Sequence, residues 1–139
     1  MSDDDKSPHL PIEDFRNYGY QLVDWLAEYF ANIDEMKILP DIEPGDIRNM
    51  LPASAPEQAE DMKDIIADLD QVVMPGMAHW QHPGWFAFFP SGVSPVSVLG
   101  EFVAAGLATQ GMMWSTAPAA TEIENTILDW LVDPLGLPQ

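Results

Sequence analysis

The chain contains no cysteine. That excludes disulfides, thiolate metal ligands and a cysteine nucleophile, and it is compatible with a reducing compartment. Positive charge is also scarce. Lys6, Arg16, Lys37, Arg48 and Lys63 stand against 23 acidic residues, for a formal net charge of −18. A field of that sign repels phosphate backbones and anionic lipid, which argues against nucleic-acid binding and against a membrane partner. No apolar run approaches the roughly 20 residues that span a bilayer. The opening stretch MSDDDKSPHLP lacks the basic flank and apolar segment of a secretory signal, so a cytoplasmic protein is expected. There is no phosphate-cradling glycine loop, no GxSxG elbow and no internal repeat.

What is present is apolar material cut into segments by 13 prolines. The 139 residues are 47% hydrophobic, enough for one modest core. Ile12, Phe15, Gly19, Leu22, Leu26, Tyr29 and Ile33 recur three and four apart and predict a helix over 12–33. Pro11 suits its first turn, and Trp25 and Phe30 widen the stripe. The stripe is close to a heptad seam, so it could pair with another helix. Residues 39–56 form a proline-bounded connector with at most a short helical turn at 46–51.

A second helix is expected over about 57–73. Met62, Ile65, Ile66, Leu69, Val72 and Val73 would be its buried face, and Pro75 and Gly76 its stop. A third should start at Ser94 as N-cap with Pro95 in the first helical position, and run to about Gln110. Gly100, Ala104 and Ala108 give it a small-residue face. After a link at 111–117, a last helix should cover 118–133. Glu122 and Glu124 would stand in its first turns, with Ile123, Ile127, Trp130 and Leu131 inward. The fold class is thus mainly α, and four helices suffice for a bundle.

Between the second and third helices lies HWQHPGWFAFFPSG, residues 79–92, with five aromatic rings and two imidazoles. Its apolar residues follow neither a strand nor a helix period. A large exposed apolar patch implies something to meet: a partner subunit, a ligand or more of a longer polypeptide. His79 and His82 lack a third zinc ligand, and hydrogen bonding to backbone is their simpler role. Ser94 is explained as a cap. Ser91, between proline and glycine, is a turn residue whose amide and hydroxyl could meet an anionic group. Glu122 and Glu124 point to different sides of a helix and make no glycosidase pair. No lysine sits in surroundings apolar enough for a Schiff-base amine. The residues amount to an aromatic wall with one polar corner, suited to flat apolar ligands, and to no complete catalytic set.

MPGMAHWQHPGWFAFFPSG, followed by GLATQGMMWSTAPAATEIENTILDWLVDPLGLP, resembles the start of the group II pyridoxal-phosphate decarboxylases. These include the aromatic-L-amino-acid decarboxylases and their tyrosine and tryptophan relatives. LPDIEPG and LPASAPEQ fit the same frame, so the resemblance covers nearly the whole chain from Phe15. It implies the front of a homodimer of the aspartate-aminotransferase fold (fold type I), several times longer than this chain. Residues 1–76 would be a helical dimerisation arm and 77–93 an aromatic pocket loop. Residues 94–139 would be helices leading into a pyridoxal-phosphate-binding α/β domain outside these residues.

Position by position, Trp80, Phe88, Phe89, Pro90 and Ser91 match the family's substrate-pocket segment. Trp80 and Phe88 would pack the substrate ring, Phe89 and Pro90 would shape the floor, and Ser91 would sit near the substrate carboxylate or cofactor phosphate. Gln110 and Met112 match two pocket positions contributed by the neighbouring subunit. The departures bear on substrate: Phe88 stands where many members have tyrosine, Ser91 where many have threonine, and Gln110 and Met112 where animal members have larger apolar residues. The resemblance implies a carboxy-lyase that releases carbon dioxide from a small-molecule L-amino acid, aromatic ones favoured, with pyridoxal 5′-phosphate as cofactor. The cofactor lysine, the acid beside the ring nitrogen and the stacking histidine are not among these residues. The chain alone is therefore expected to be inactive. Two alternatives stand beside this reading: a decarboxylating aldehyde synthase of the same family, and a non-enzymatic helical interaction module.

Overall fold

The computed structural model describes residues 10–89 and 92–138. They divide into two compact units, Met1–Ser91 and Gly92–Gln139. Among the described residues every regular element is helical. Each unit holds too few helices for a bundle of four.

The first unit is organised by α1, Ile12–Asn32, which a 3-10 turn, Ile33–Glu35, extends. Pro11 is the N-cap, one position earlier than a first-turn proline, and its carbonyl receives the first helical hydrogen bond from Phe15 N–H at 2.9 Å. Glu13 and Asp14 complement the positive end of the helix dipole. The stripe divides along the helix. Ile12 and Phe15 are exposed, whereas Gly19, Leu22, Leu26, Tyr29 and Ile33 are half-buried. Trp25 and Phe30 are half-buried beside them.

The short turn in the connector is α2, Asp46–Met50. Gly45 precedes it at φ +110°, a backbone state that glycine alone adopts at little cost. The next helix, α3, spans Met62–Asp68 and starts later than the composition of 57–61 implied. Asp61 sets that start, because its carboxylate accepts the Lys63 N–H at 2.9 Å. A cap of this kind competes with the helical propensity of the residues before it. The chain then widens into a π turn, Leu69–Val73, and tightens into a 3-10 turn, Met74–Gly76. Met62, Ile66, Leu69 and Val72 are half-buried, but Ile65 and Val73 face outward, against expectation. Two α1 side chains reach across. The Trp25 indole donates to Asp70 at 2.9 Å, and the Tyr18 hydroxyl donates to Asp61 at 3.4 Å.

The second unit contains α4, Pro95–Leu107, and α5, Pro118–Leu135. Ser94 is the N-cap of α4 with Pro95 at N1. Ser94 and Ser97 form a reciprocal capping box, with Ser97 N–H donating to Ser94 Oγ at 3.2 Å and Ser94 N–H to Ser97 Oγ at 3.1 Å. The helix stops at Leu107, short of Gln110, because Ala108 turns left-handed at φ +49° and takes the place a C-cap glycine would fill. Ala108 thereby leaves the small-residue face it was expected to share with Gly100 and Ala104. A side chain added at Gly100 would meet nothing within 4 Å, so that face is open.

α5 runs two residues past its expected end. Pro134 is carried in its last turn, and Gly136 closes it at φ +63° with Leu137 N–H donating to Val132 O at 3.0 Å. It starts at Pro118 as expected, with no acid in the first turn itself and Glu122 and Glu124 in the second. Glu122 instead accepts the Trp114 indole N–H at 2.8 Å. Ile123, Ile127, Trp130 and Leu131, expected to point inward, are all exposed.

Neither unit has a dry centre. Among the described residues only Ala117 (8% exposed) and His79 (5%) are buried, and no large side chain is fully enclosed. The exposed apolar faces of α4 and α5 exceed what a self-sufficient domain leaves to water.

Candidate functional site

The aromatic stretch hangs from the first unit by hydrogen bonds. His79 N–H donates to Ile38 O at 2.9 Å, which fixes the entry of the segment. Two successive turns follow, His82 N–H to His79 O at 3.0 Å and Trp85 N–H to His82 O at 2.9 Å. This coiling explains the absence of a strand or helix period. It also brings rings at positions 80, 85 and 88 to one place.

Trp80 and Trp85 stack with centroids 5.1 Å apart and planes 23° from parallel. Phe88 stacks on Trp80 at 5.7 Å and 17°, and lies 6.3 Å from Trp85. Offset near-parallel rings at these separations are an attractive arrangement. The Trp85 indole N–H is satisfied by Ala87 O at 2.6 Å, which pins the chain just before Phe88. Phe88 sits at φ +58°, a state costly for a side chain of its size. Strain of this kind persists where the surroundings over-determine it and concentrates at binding sites. The stack remains accessible: Trp80 and Phe88 are exposed, and Phe86 and Phe89 beside them are 93% and 99% exposed.

The predicted site residues are therefore only partly brought together. Trp80 and Phe88 are in contact, and Phe89 projects from the same turn with its ring free of the stack. Pro90 and Ser91 lie outside the described residues. Gln110 and Met112 belong to the second unit. There the Gln110 carbonyl accepts the Thr116 hydroxyl at 2.9 Å, and Met112 is exposed. Trp85 was not singled out from the sequence, although it bridges the two rings that were. Its signal was its position in the same ring-rich run, five residues after Trp80.

The two histidines carry the turn. His82 Nδ1 accepts Gly84 N–H at 2.8 Å, so its proton is on Nε2, which donates to Asp34 O at 3.2 Å. This is the backbone role expected of it. His79 has a different partner: its Nδ1 is 3.0 Å from the Tyr29 hydroxyl. Burial, with His82 close by, holds the His79 pKa below the usual imidazole value, and burial raises that of Tyr29. Among the described residues no group of three metal-ligating side chains occurs.

A cleft of about 640 Å³ lies nearby, lined among others by Lys37, Asp41, Asp46, Met50, Met74, Met77 and His79. It contains none of the stacked rings, so the ring stack is an open wall and not a closed pocket. Among the described residues no amine is enclosed beside it. Lys37 is exposed and paired with Asp41, and Lys63 is exposed on α3. Arg16 is paired with Glu13 on the surface of α1. The described residues fit a surface against which a flat group stacks, and do not fit an anchor for an aldehyde or a phosphate.

The chain is 42% identical over 130 residues to the L-tyrosine/L-DOPA decarboxylase 2 of Lophophora williamsii, covering 94% of this chain and 25% of that protein. It is equally close, 42% over 130 residues, to the phenylacetaldehyde synthase of Petunia hybrida, of which it covers 26%. Its fold matches the crystal structure of Catharanthus roseus tryptophan decarboxylase in complex with L-tryptophan with a TM-score of 0.86 and 39% identity, over 95% of this chain and 28% of that one. The chain thus spans about a quarter of the length of these relatives and matches their N-terminal portion. The pyridoxal-dependent decarboxylase conserved domain matches residues 44–139, which include the whole ring stack and both helices of the second unit. With that match over more than half its length, the chain belongs to the pyridoxal-dependent decarboxylase family.

Proposed function

We propose that these residues form the helical arm and substrate-pocket wall of a pyridoxal-phosphate-dependent carboxy-lyase acting on aromatic L-amino acids. The observation that carries the reading is the accessible stack of Trp80, Trp85 and Phe88, a flat apolar surface matched to a planar side chain. The relatives named for tyrosine, DOPA and tryptophan support the same substrate class.

In this reading Trp80 and Phe88 pack the substrate ring. Phe89 and Pro90 shape the floor, and Ser91 meets the substrate carboxylate or the cofactor phosphate. Gln110 and Met112 enter the pocket of a neighbouring subunit of a homodimer. Residues 1–76 are the dimerisation arm, 77–93 the pocket loop, and 94–139 the lead into the cofactor-binding domain. The exposed apolar faces of α4 and α5 support further protein contact, as does the exposed start of the α1 stripe. What the wall contributes to chemistry is exclusion of water and orientation of the substrate. The cofactor is held mainly by residues elsewhere in the enzyme, and the 139-residue chain by itself is inactive. The enzyme works in the cytoplasm.

The test is carbon-dioxide release from L-tryptophan, L-tyrosine, L-DOPA and L-glutamate by the cofactor-loaded enzyme that carries this segment. Release from the aromatic substrates is expected, and a preference for glutamate overturns the reading of the wall. The likeness to the Petunia phenylacetaldehyde synthase favours one second reading, a decarboxylating aldehyde synthase. Both reactions release carbon dioxide, so the organic product separates the two: an aldehyde in place of the amine identifies the synthase.

A further inference from the structure

The residue next to Trp80 in the chain is tied to the first helix. His79 is the one buried polar side chain among the described residues, at 5% exposure. Three contacts hold it. Its N–H donates to Ile38 O at 2.9 Å, its Nδ1 is 3.0 Å from the Tyr29 hydroxyl, and its ring packs on the Tyr29 ring at 5.6 Å. Tyr29 is itself fixed, stacked on Trp25 at 6.0 Å with planes 4° from parallel and packed on Phe30 at 5.7 Å. Trp25 in turn donates to Asp70. A chain of contacts therefore runs from the π turn through α1 to His79. From there one peptide bond leads to Trp80, one of the three rings of the stack.

We propose that Tyr29 and His79 are positioning residues for the pocket wall: the Tyr29 hydroxyl, by holding the His79 ring, sets the orientation in which Trp80 is presented to Trp85 and to the substrate ring. The claim about substrate rests on the function proposed above, and the claim about the ring stack does not. A histidine buried on an apolar helix face could serve packing alone. The geometry argues for more, because the bonded atom pair joins residues 50 positions apart and the constrained backbone is the one that carries Trp80. Removing the hydroxyl leaves a buried nitrogen without its partner, and the ring must then turn or rise towards water, taking its neighbour with it.

Two stacked indoles couple their transitions, so the Trp80–Trp85 pair gives an exciton couplet in circular dichroism, which Trp85→Phe abolishes and thereby identifies. In Tyr29→Phe the couplet should collapse although the ring remains. Tyr18→Phe removes a hydroxyl from the same helix, bonded to Asp61 instead, and should leave the couplet intact. His79→Asn places a polar atom near the Nδ1 position and should retain the couplet, whereas His79→Leu should lose it. In the cofactor-loaded enzyme, Tyr29→Phe should raise KM for an aromatic substrate about tenfold with kcat little changed, the loss expected when a uniform binding contact is misplaced. An unchanged couplet in Tyr29→Phe overturns the proposal, as does identical behaviour of His79→Asn and His79→Leu. An enzyme that releases no carbon dioxide from aromatic substrates, but shows the predicted couplet series, refutes the proposed function and leaves the positioning role standing.

Discussion

Trp80 and Phe88 lie eight residues apart and stack at 5.7 Å with planes 17° from parallel, although Phe88 must take a left-handed backbone to reach that position. The backbone cost and the ring contact oppose each other, which makes the site sensitive to both. Phe88→Ala is expected to lower kcat/KM for an aromatic amino acid about tenfold, mainly through KM, the loss of one aromatic contact. Phe88→Asn tolerates the left-handed state and should lose the same factor, because the proposed contact with substrate is made by the ring and not by the backbone. Steady-state kinetics on both variants check this; full activity in either one contradicts it.

Gly84 tests the other anchor of the turn. A Cβ there would come within 2.9 Å of Ile38 Cδ1 and 3.0 Å of His82 Nδ1. The isoleucine tip can give way, but the imidazole is held by Gly84 N–H and Asp34 O. Gly84→Ala should destabilise the first unit by about 1–3 kcal/mol. A shift of the urea midpoint to lower concentration reads this out, and an unchanged midpoint shows that the His82 clamp is slack.

The two ends of α4 make opposite predictions. Ser94→Ala removes the side-chain acceptor of Ser97 N–H, leaves the Ser94 N–H to Ser97 Oγ half of the capping box in place, and should cost about 1 kcal/mol. Ala108→Gly relieves a left-handed residue at φ +49° and should stabilise by about 1 kcal/mol. Thermal unfolding followed by helical circular dichroism should move down for the first and up for the second.

His79 gives a pH dependence of definite sign. Its folded-state pKa lies below the ordinary 6.5 because burial penalises the charged ring, and His82 adds to that. The unfolded chain therefore binds the proton first as pH falls. The stabilisation is fully present above about pH 6.5 and is lost as pH falls from there through the folded value. The groups that face His79 are Tyr29 from α1, His82 from the same turn, and Lys37, Asp41 and Asp46 around the adjoining cleft. Asp41 is held ionised by Lys37, its pKa lowered by their hydrogen bond, and so adds no titration of its own in this window. The difference in stability between wild type and His79→Asn should narrow on acidification below pH 6.5. A constant difference excludes His79 as the titrating group.

The helices were legible in the sequence where a local signal closed them. Ser94 with Pro95 marked the start of α4, and the proline and glycine at 75 and 76 marked the end of the α3 region. The start of α3 was not legible, because residues 57–61 carry good helix formers and only the Asp61 cap, a choice between two satisfactory local states, sets the boundary. The end of α4 was missed for a related reason: alanine is a poor marker for a left-handed cap. At the site, the ring-rich run announced itself by breaking both periods. The identity of the stacked pair was hidden, since the turns that bring 80, 85 and 88 together depend on hydrogen bonds to Ile38 and Asp34, far away in sequence. The partners of His79 and Glu122 were hidden likewise: each bonds a side chain, Tyr29 or Trp114, that no spacing rule connects to it.

If the ring stack is the surface on which an aromatic substrate lies, as proposed, Trp80 governs the choice between flat and non-aromatic side chains. The most direct measurement is the ratio of kcat/KM for L-tryptophan to that for L-glutamate in the cofactor-loaded enzyme, compared between wild type and Trp80→Ala. A fall in that ratio of about tenfold or more, carried by the aromatic substrate alone, is expected. An unchanged ratio, with both substrates affected equally or not at all, would contradict it.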